Sequence, residues 1–70
     1  MSTHDTAREL RAWREAAGLT REHVAAAAGV TARTIENWEL GRATPRVEHV
    51  SLMAPLAPGL LDALGLVADG

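Results

Sequence analysis

The three histidines, His4, His23 and His49, are the side chains of this sequence best suited to acid–base chemistry or metal binding. Their spacing matches no pattern of metal ligands, and the sequence has no cysteine to complete one. In a chain of 70 residues no pair of carboxylates is expected to be desolvated enough for acid–base catalysis. No nucleophile lies beside a base, and no glycine-rich loop is suited to holding a phosphate. We therefore predict that the protein is not an enzyme and binds no metal or cofactor.

Arginine supplies all seven of the positively charged side chains, against nine acidic ones, so the formal net charge is −2. These charges are distributed unevenly along the chain. Between Thr20 and Arg46, four arginines stand against three glutamates, a balance of +1, whereas the rest of the chain has three arginines against six acidic residues, a balance of −3. The middle of the chain is the only part whose side-chain charges sum to a positive value, and it is the part most compatible with an anionic partner.

The length and composition favour a single all-helical domain. Hydrophobic residues make up 47% of the chain, which argues against disorder, whereas aromatic residues make up only 3%, which gives strands little support. A domain of this length buries about 60% of the surface of its unfolded chain, so its core must be small. We expect one domain over residues 1–70, with a core at about 5–66. Because the sequence shows neither a signal peptide nor an apolar run long enough to span a membrane, we expect a cytoplasmic protein.

Threonine and glycine divide the first part of the chain into three predicted helices. Each threonine is a candidate N-cap and each glycine a candidate stop, in the pairs Thr6 with Gly18, Thr20 with Gly29, and Thr31 with Gly41. Glu9 would complete a capping box with Thr6. The pattern predicts one helix between Thr6 and Gly18, a second at 21–28 and a third at 32–40.

The sequence indicates the helix boundaries less clearly in the C-terminal third of the chain. Thr44 and Pro45 would serve as N-cap and first residue of a fourth helix, which should end near Ala54 because Pro55 cannot continue it. A short fifth helix should follow and stop at Gly65. The predicted core consists of apolar residues at helical spacing: Leu10, Trp13, Val24, Ile35, Trp38, Val47 and Val50, with Ala17 on the stripe of the first helix.

A surplus of large apolar residues follows this predicted core. Its members are Met53, Leu56, Leu60, Leu61, Leu64 and Leu66. Some of them should complete the core, and the others should form an exposed patch, which is more often an interface than an accident. We therefore expect a homodimer formed through this leucine-rich segment. The alternative is that all the leucines lie in the core and that the protein is monomeric until DNA assembles it.

The segment 21–40 has the residue types that a helix-turn-helix requires. Ala25 is small enough for the second helix to approach closely, and Gly29 allows a left-handed turn between the helices. Ile35 and Trp38 lie where apolar side chains must seat the second helix.

The stretch Gly29-Val-Thr-Ala-Arg-Thr-Ile-Glu-Asn-Trp-Glu-Leu-Gly41 resembles the signature of the Xre/Cro-type helix-turn-helix family, which includes the phage Cro and repressor DNA-binding domains. The resemblance extends from about Leu10 to Val50. It implies an all-α, lambda-repressor-like bundle of four to five helices. It also implies sequence-specific binding of double-stranded DNA, with the usual role of a small Cro-like repressor that acts as a dimer on a pseudo-palindromic operator.

The resemblance also implies roles for individual residues. The third helix should lie in the major groove, where its outer face would present four residues to base edges: Ala32, Arg33, Glu36 and Asn37. Six residues would contact phosphates: Arg21, Thr31, Thr34, Arg42, Thr44 and Arg46. Arg33 could pair with guanine and Asn37 with adenine, while Glu36 would either accept a hydrogen bond from cytosine or orient Arg33. Any one of these charges could instead be an ordinary solvated surface charge.

Two further expectations concern partners and stability. In this family an arginine late in the first helix pairs with the glutamate of the Trp-Glu-x-Gly element, and Arg14 and Glu39 match these two positions. Such a pair would tie the first helix to the third.

The alternative to DNA binding is a protein-interaction module of the same fold, such as an antitoxin or an adaptor, which the acidic net charge slightly favours.

Overall fold

Five α-helices and one 3₁₀ turn form the part of the chain that the computed structural model describes, residues 3–64. In chain order they are α1 (Thr3–Ala16), α2 (Arg21–Ala28), α3 (Ala32–Glu39), α4 (Val47–Met53), the 3₁₀ turn (Ala54–Leu56) and α5 (Leu60–Ala63). The described residues contain no strand, which agrees with the predicted all-α fold of four to five helices. The predicted stop at Gly65 and the apolar residue Leu66 lie outside the described residues.

Helix α1 begins earlier than the sequence predicts. It starts at Thr3, so Thr6 lies inside the helix and the predicted capping box of Thr6 with Glu9 is wrong. Asp5 lies in the first turn, where a carboxylate interacts favourably with the helix dipole. Its Oδ1 accepts a hydrogen bond of 2.7 Å from Arg8 Nη2, three residues on. The charge of Asp5 thus stabilises the additional N-terminal turn of α1.

Helices α2 and α3 begin where the sequence predicts, because each has a threonine cap. Thr20 Oγ1 accepts the backbone N–H of His23 at 3.1 Å, and Thr31 Oγ1 accepts that of Thr34 at 3.2 Å. Gly29 ends α2 with a φ of 74°, a left-handed conformation that a residue with a Cβ adopts only at a cost. The chain therefore turns between α2 and α3 at the predicted glycine.

The predicted start of α4 at Thr44 and Pro45 is wrong. Arg46 is the N-cap, with extended backbone angles, and the first helical residue is Val47. The Arg46 backbone N–H donates to Nδ1 of His49 at 3.4 Å, so the histidine at the third helical position holds the start of the helix. This local hydrogen bond favours a start two residues later than the threonine–proline pair.

The inner face of α4 is narrower than the sequence predicts. Val50 and Met53 are buried, but Val47 is 67% exposed, so its place in the predicted core is wrong. Val47 is the first residue of the helix and faces solvent. Before Pro55 the helix gives way to the 3₁₀ turn, at the point that was predicted.

The core lies where α1 and α2 pack on α3, α4 packs on α2, and α5 packs on α1 and α4. Its largest fully buried side chains are Leu10, Val24, Ile35, Val50, Met53 and Leu60. Burial of each stabilises the fold by about 1.5–3 kcal/mol. Ala17 is exposed beyond the end of α1, so its predicted place on the buried stripe is wrong. Trp13 Nε1 donates to the Ala57 carbonyl at 3.3 Å, which ties α1 to the segment before α5.

The apolar surplus of the C-terminal third divides between core and surface. Met53, Leu60 and Leu64 are buried, whereas Leu56 is 37% and Leu61 41% exposed. The sequence predicts that some of these residues lie in the core and others on the surface, but it does not predict which ones. Each of the helices among residues 3–64 is too short or too polar to cross a lipid bilayer.

Candidate nucleic-acid interface

Helix α3 has one buried and one exposed face. Ile35 is fully buried and Trp38 is 4% exposed, as predicted for the inner face. On the opposite side Arg33 and Glu36 are exposed, while Asn37 is half-buried. The inner face fixes the helix in the fold, and the outer face leaves charged and polar groups available to a partner.

An open depression joins the start of α3 to the start of α2. Its walls are formed by Arg21, Glu22, Ala32, Arg33 and Glu36. It brings together three of the four residues predicted to contact bases and one of those predicted to contact phosphates. Glu22 was not among the predicted site residues, although its place beside Arg21 could have indicated it. The depression offers both guanidinium donors and carboxylate acceptors.

The turn after α3 is folded back onto the helix. Leu40 is the C-cap, so α3 ends one residue before the predicted end at 40. The carbonyl of Asn37 accepts the backbone N–H of Arg42 at 2.9 Å and that of Ala43 at 3.4 Å. These bonds hold the loop with Arg42 against the last turn of α3.

The side chains predicted to contact phosphates do not share one environment. Arg42, Thr44, Arg46 and Thr31 are exposed, whereas Arg21 and Thr34 are half-buried. The hydroxyls of Thr31 and Thr34 lie 3.1 Å apart at the start of α3. Arg42 and Arg46 lie in the segment between α3 and α4, so the cationic groups border α3 at both of its ends.

A buried ion pair connects the end of α1 to the end of α3. Arg14 Nε donates to Glu39 Oε2 at 2.6 Å, and Arg14 Nη2 donates to Oε1 at 3.2 Å. Arg14 Nη1 also donates to the Leu19 carbonyl at 2.9 Å. The hydrogen bond to Glu39 raises the pKa of Arg14 above its ordinary value, against the effect of burial. Since a raised pKa stabilises the protonated form, the contribution of this pair to stability is fully present at neutral pH.

Arg21 joins the same carboxylate from α2. Its Nε donates to Glu39 Oε1 at 3.1 Å, and among residues 3–64 this is the hydrogen bond that its side chain makes. Sequence reasoning assigned Arg21 only to phosphate binding. Arg21 and Glu39 are 18 residues apart in the sequence, and this spacing gave no signal for the contact, because it depends on how α2 lies against α3.

One known family matches almost the whole chain. The family described as helix-turn-helix domain matches residues 5–69. The chain belongs to this helix-turn-helix family. The family is of the Xre/Cro-like type, as the sequence predicts. No curated protein matches the chain, and no solved structure matches it either.

The matched residues include α2 and α3, which are joined by the turn at Gly29. Two short helices joined in this way have the form of a helix-turn-helix. Helix-turn-helix domains typically bind DNA and have no enzymatic activity, so the family indicates a DNA-binding regulator in general.

Proposed function

We propose that this helix-turn-helix protein binds specific sequences of double-stranded DNA with α3 in the major groove, and that it acts as a small Cro-like repressor. The observation that carries the proposal is the outer face of α3. Arg33 and Glu36 are exposed there and line one depression with Arg21. Ile35 and Trp38 on the opposite face hold the helix in the fold. No catalytic step is part of the proposal.

Base recognition would come from four residues of α3: Ala32, Arg33, Glu36 and Asn37. Arg33 can donate two hydrogen bonds to guanine, and Asn37 can pair with adenine, each with about 1–3 kcal/mol of discrimination. Within the described residues Arg33 and Glu36 form no ion pair with each other. This favours the interpretation in which Glu36 accepts a hydrogen bond from cytosine over the one in which it orients Arg33. Ala32 would contact a thymine methyl group.

Phosphate contacts would fix the register of the protein on DNA. The side chains available for them are Arg21, Thr31, Thr34, Arg42, Thr44 and Arg46. Contacts of this kind position the protein without reading sequence. They would also offset the acidic net charge of −2, since only the cationic groups bordering α3 need to approach the duplex.

A homodimer would supply the second recognition helix. A single α3 reads few base pairs, whereas two-fold pairing places two such helices about 10 bp apart on a pseudo-palindromic operator. Leu56 and Leu61 are the exposed members of the apolar surplus, and Leu52, 54% exposed, lies one turn before Leu56. We assign these leucines to the dimer contact.

Selection of bound sequences from a random duplex library tests the proposal. The wild-type protein should enrich a pseudo-palindromic motif, and the double variant Arg33→Ala, Asn37→Ala should lose it. The same substitutions at Arg8 and Arg11, on the exposed side of α1, serve as a matched control that should enrich the wild-type motif. If the wild type enriches no motif, DNA recognition is refuted and the protein-interaction module becomes the better explanation.

A further inference from the structure

Arg21 bonds to the end of α3 and lies beside a depression at its start. Its Nε donates to Glu39, the last residue of α3, at 3.1 Å. Its side chain also lines the depression that contains Ala32 and Arg33, the first two residues of α3. The side chain is 36% exposed, against 1% for Glu39. Arg21 thus links the buried end of α3 to its exposed start.

The carboxylate of Glu39 is held from two helices. Arg14 of α1 donates to both of its oxygens, and Arg21 of α2 donates to Oε1. Arg14 alone is enough to neutralise the buried charge, so Arg21 is not needed for charge balance. Arg21 adds a second connection: Arg14 joins the end of α3 to α1, and Arg21 joins it to α2.

We propose that Arg21 is a positioning residue for base recognition, which sets the orientation of α3 against α2 through Glu39. The proposal rests on the proposed function, since it assumes that α3 reads bases. A residue that contacts only phosphate contributes equally to all sequences. A positioning residue also affects the stability of the free protein and the discrimination between bases, because the side chains of Arg33 and Asn37 move with the helix.

Three matched variants separate these two roles: Arg21→Gln, Arg42→Gln and Arg8→Gln. Arg21→Gln should lower the folding equilibrium constant of the free protein about threefold to tenfold. It should also lower the affinity ratio between the selected duplex and a single-mismatch duplex about threefold or more. Arg42→Gln should weaken both duplexes equally and leave the folding constant unchanged. Arg8→Gln, on the exposed side of α1, should leave duplex affinity unchanged.

A lysine at the same position adds a second comparison. Arg21→Lys keeps the positive charge but loses the planar guanidinium that reaches Glu39. Compared with Arg21→Gln, it should therefore restore most of the affinity for both duplexes. It should not restore the ratio between the affinities for the selected duplex and the single-mismatch duplex. Recovery of the ratio together with the affinity would show that charge alone matters, and would overturn the positioning role.

A double-mutant cycle tests the link to Glu39 in the free protein. Arg21→Gln and Glu39→Gln should be coupled by about threefold or more in the folding equilibrium constant. If Glu39→Gln does not fold, the backbone amide chemical shifts of Arg21→Gln replace the cycle. Loss of the charge alone affects the shift of Glu39, whereas relaxation of the end of α3 should also move those of residues 36–38.

The two proposals fail differently. If the wild type selects a motif but Arg21→Gln changes neither the free protein nor the affinity ratio, only the positioning role is overturned. If the wild type selects no motif, the proposed function is overturned, and the role of Arg21 in recognition with it.

Discussion

Arg14 and Glu39 form two parallel hydrogen bonds, of 2.6 and 3.2 Å, that join the end of α1 to the end of α3. The Glu39 side chain is 1% exposed and that of Arg14 is 11% exposed. A carboxylate with so little access to water requires hydrogen-bonding partners, because an unpaired buried charge is strongly unfavourable. The position of α3 in the fold therefore depends on a contact between residues far apart in the sequence.

The first prediction concerns this pair. Arg14→Ala should lower the free energy of unfolding by about 3 kcal/mol, because it removes two buried hydrogen bonds to the Glu39 carboxylate and leaves only the partly exposed Arg21 on it. It also removes the donor to the Leu19 carbonyl. Urea unfolding of the free protein measures the difference.

Two other arginines of α1 provide matched controls for Arg14→Ala. Arg8 pairs with Asp5 and Arg11 with Glu15, and at least 47% of each of these four side chains is exposed. Arg8→Ala and Arg11→Ala should therefore cost less than ~1 kcal/mol. Equal unfolding midpoints for the three variants would contradict the prediction.

The helix boundaries show where local sequence information is sufficient. The starts of α2 and α3 were predicted correctly, because the hydroxyls of Thr20 and Thr31 bond to backbone groups three residues away. The same residue type misled the prediction at Thr6 and Thr44. Those threonines are equally able to cap a helix, but the helices start three residues before Thr6 and three residues after Thr44. A local pattern identifies candidate caps and does not choose among neighbouring ones.

The candidate site likewise has features that the local sequence predicts and features that it does not. The buried face of α3, with Ile35 and Trp38, follows from helical periodicity. The Arg14–Glu39 pair was predicted only by resemblance to a family. The bond from Arg21 to Glu39 was missed, because no periodicity within one helix predicts how the first residue of α2 meets the last residue of α3. Contacts between helices require the packed structure.

The second prediction is a strong salt dependence of DNA binding. The slope depends only on phosphates that cationic side chains neutralise, and three or four of these in each subunit give roughly six to eight for a dimer. The expected slope of log affinity against log salt concentration is therefore about −5 to −7. Titrations of the selected duplex at several salt concentrations measure this slope. A slope near zero would mean that the arginines bordering α3 do not contact DNA.

The third prediction separates base contacts from phosphate contacts. Arg33→Ala should relax specificity at one position in each half-site, because it removes the group proposed to pair with guanine. Arg46→Ala should weaken binding to all duplexes about equally. Both side chains are exposed, so neither variant should unfold the protein. The measurement is the affinity for a panel of single-base variants of the selected duplex. Unchanged base preferences for Arg33→Ala would mean that the placement of α3 in the groove is wrong.

The fourth prediction concerns the turn of the motif. Gly29 has a φ of +74°, and a Cβ added there would meet nothing within 4 Å. The cost of Gly29→Ala is therefore one of backbone conformation alone, about 1–2 kcal/mol in the free energy of unfolding. Gly29→Asn should cost less, since asparagine tolerates the left-handed conformation better. Thermal unfolding of both variants provides the comparison, and an equal loss for alanine and asparagine would argue against this explanation.

The fifth prediction is that the exposed leucines form the dimer contact. Leu56 and Leu61 are 37% and 41% exposed, so the double variant Leu56→Glu, Leu61→Glu should keep the fold. Leu60 and Leu64 are unsuitable for this test, because they are buried in the core and a charge there would unfold the protein. Sedimentation of the free wild type should show a dimer, and the double variant should sediment as a monomer.

DNA binding completes this last test. The double variant should lose affinity for the two-half-site duplex and keep its affinity for a single half-site, because its recognition helix is unchanged. Ala12→Glu adds one negative charge, against two in the double variant, at an exposed position of α1 and should leave both the sedimentation and the binding as in the wild type. A charge effect alone would weaken Ala12→Glu as well, whereas a dimer contact is disrupted only by the leucine substitutions. A wild type that stays monomeric at high concentration, with a double variant that binds the palindrome normally, would refute the leucine contact and leave DNA itself to assemble the two subunits.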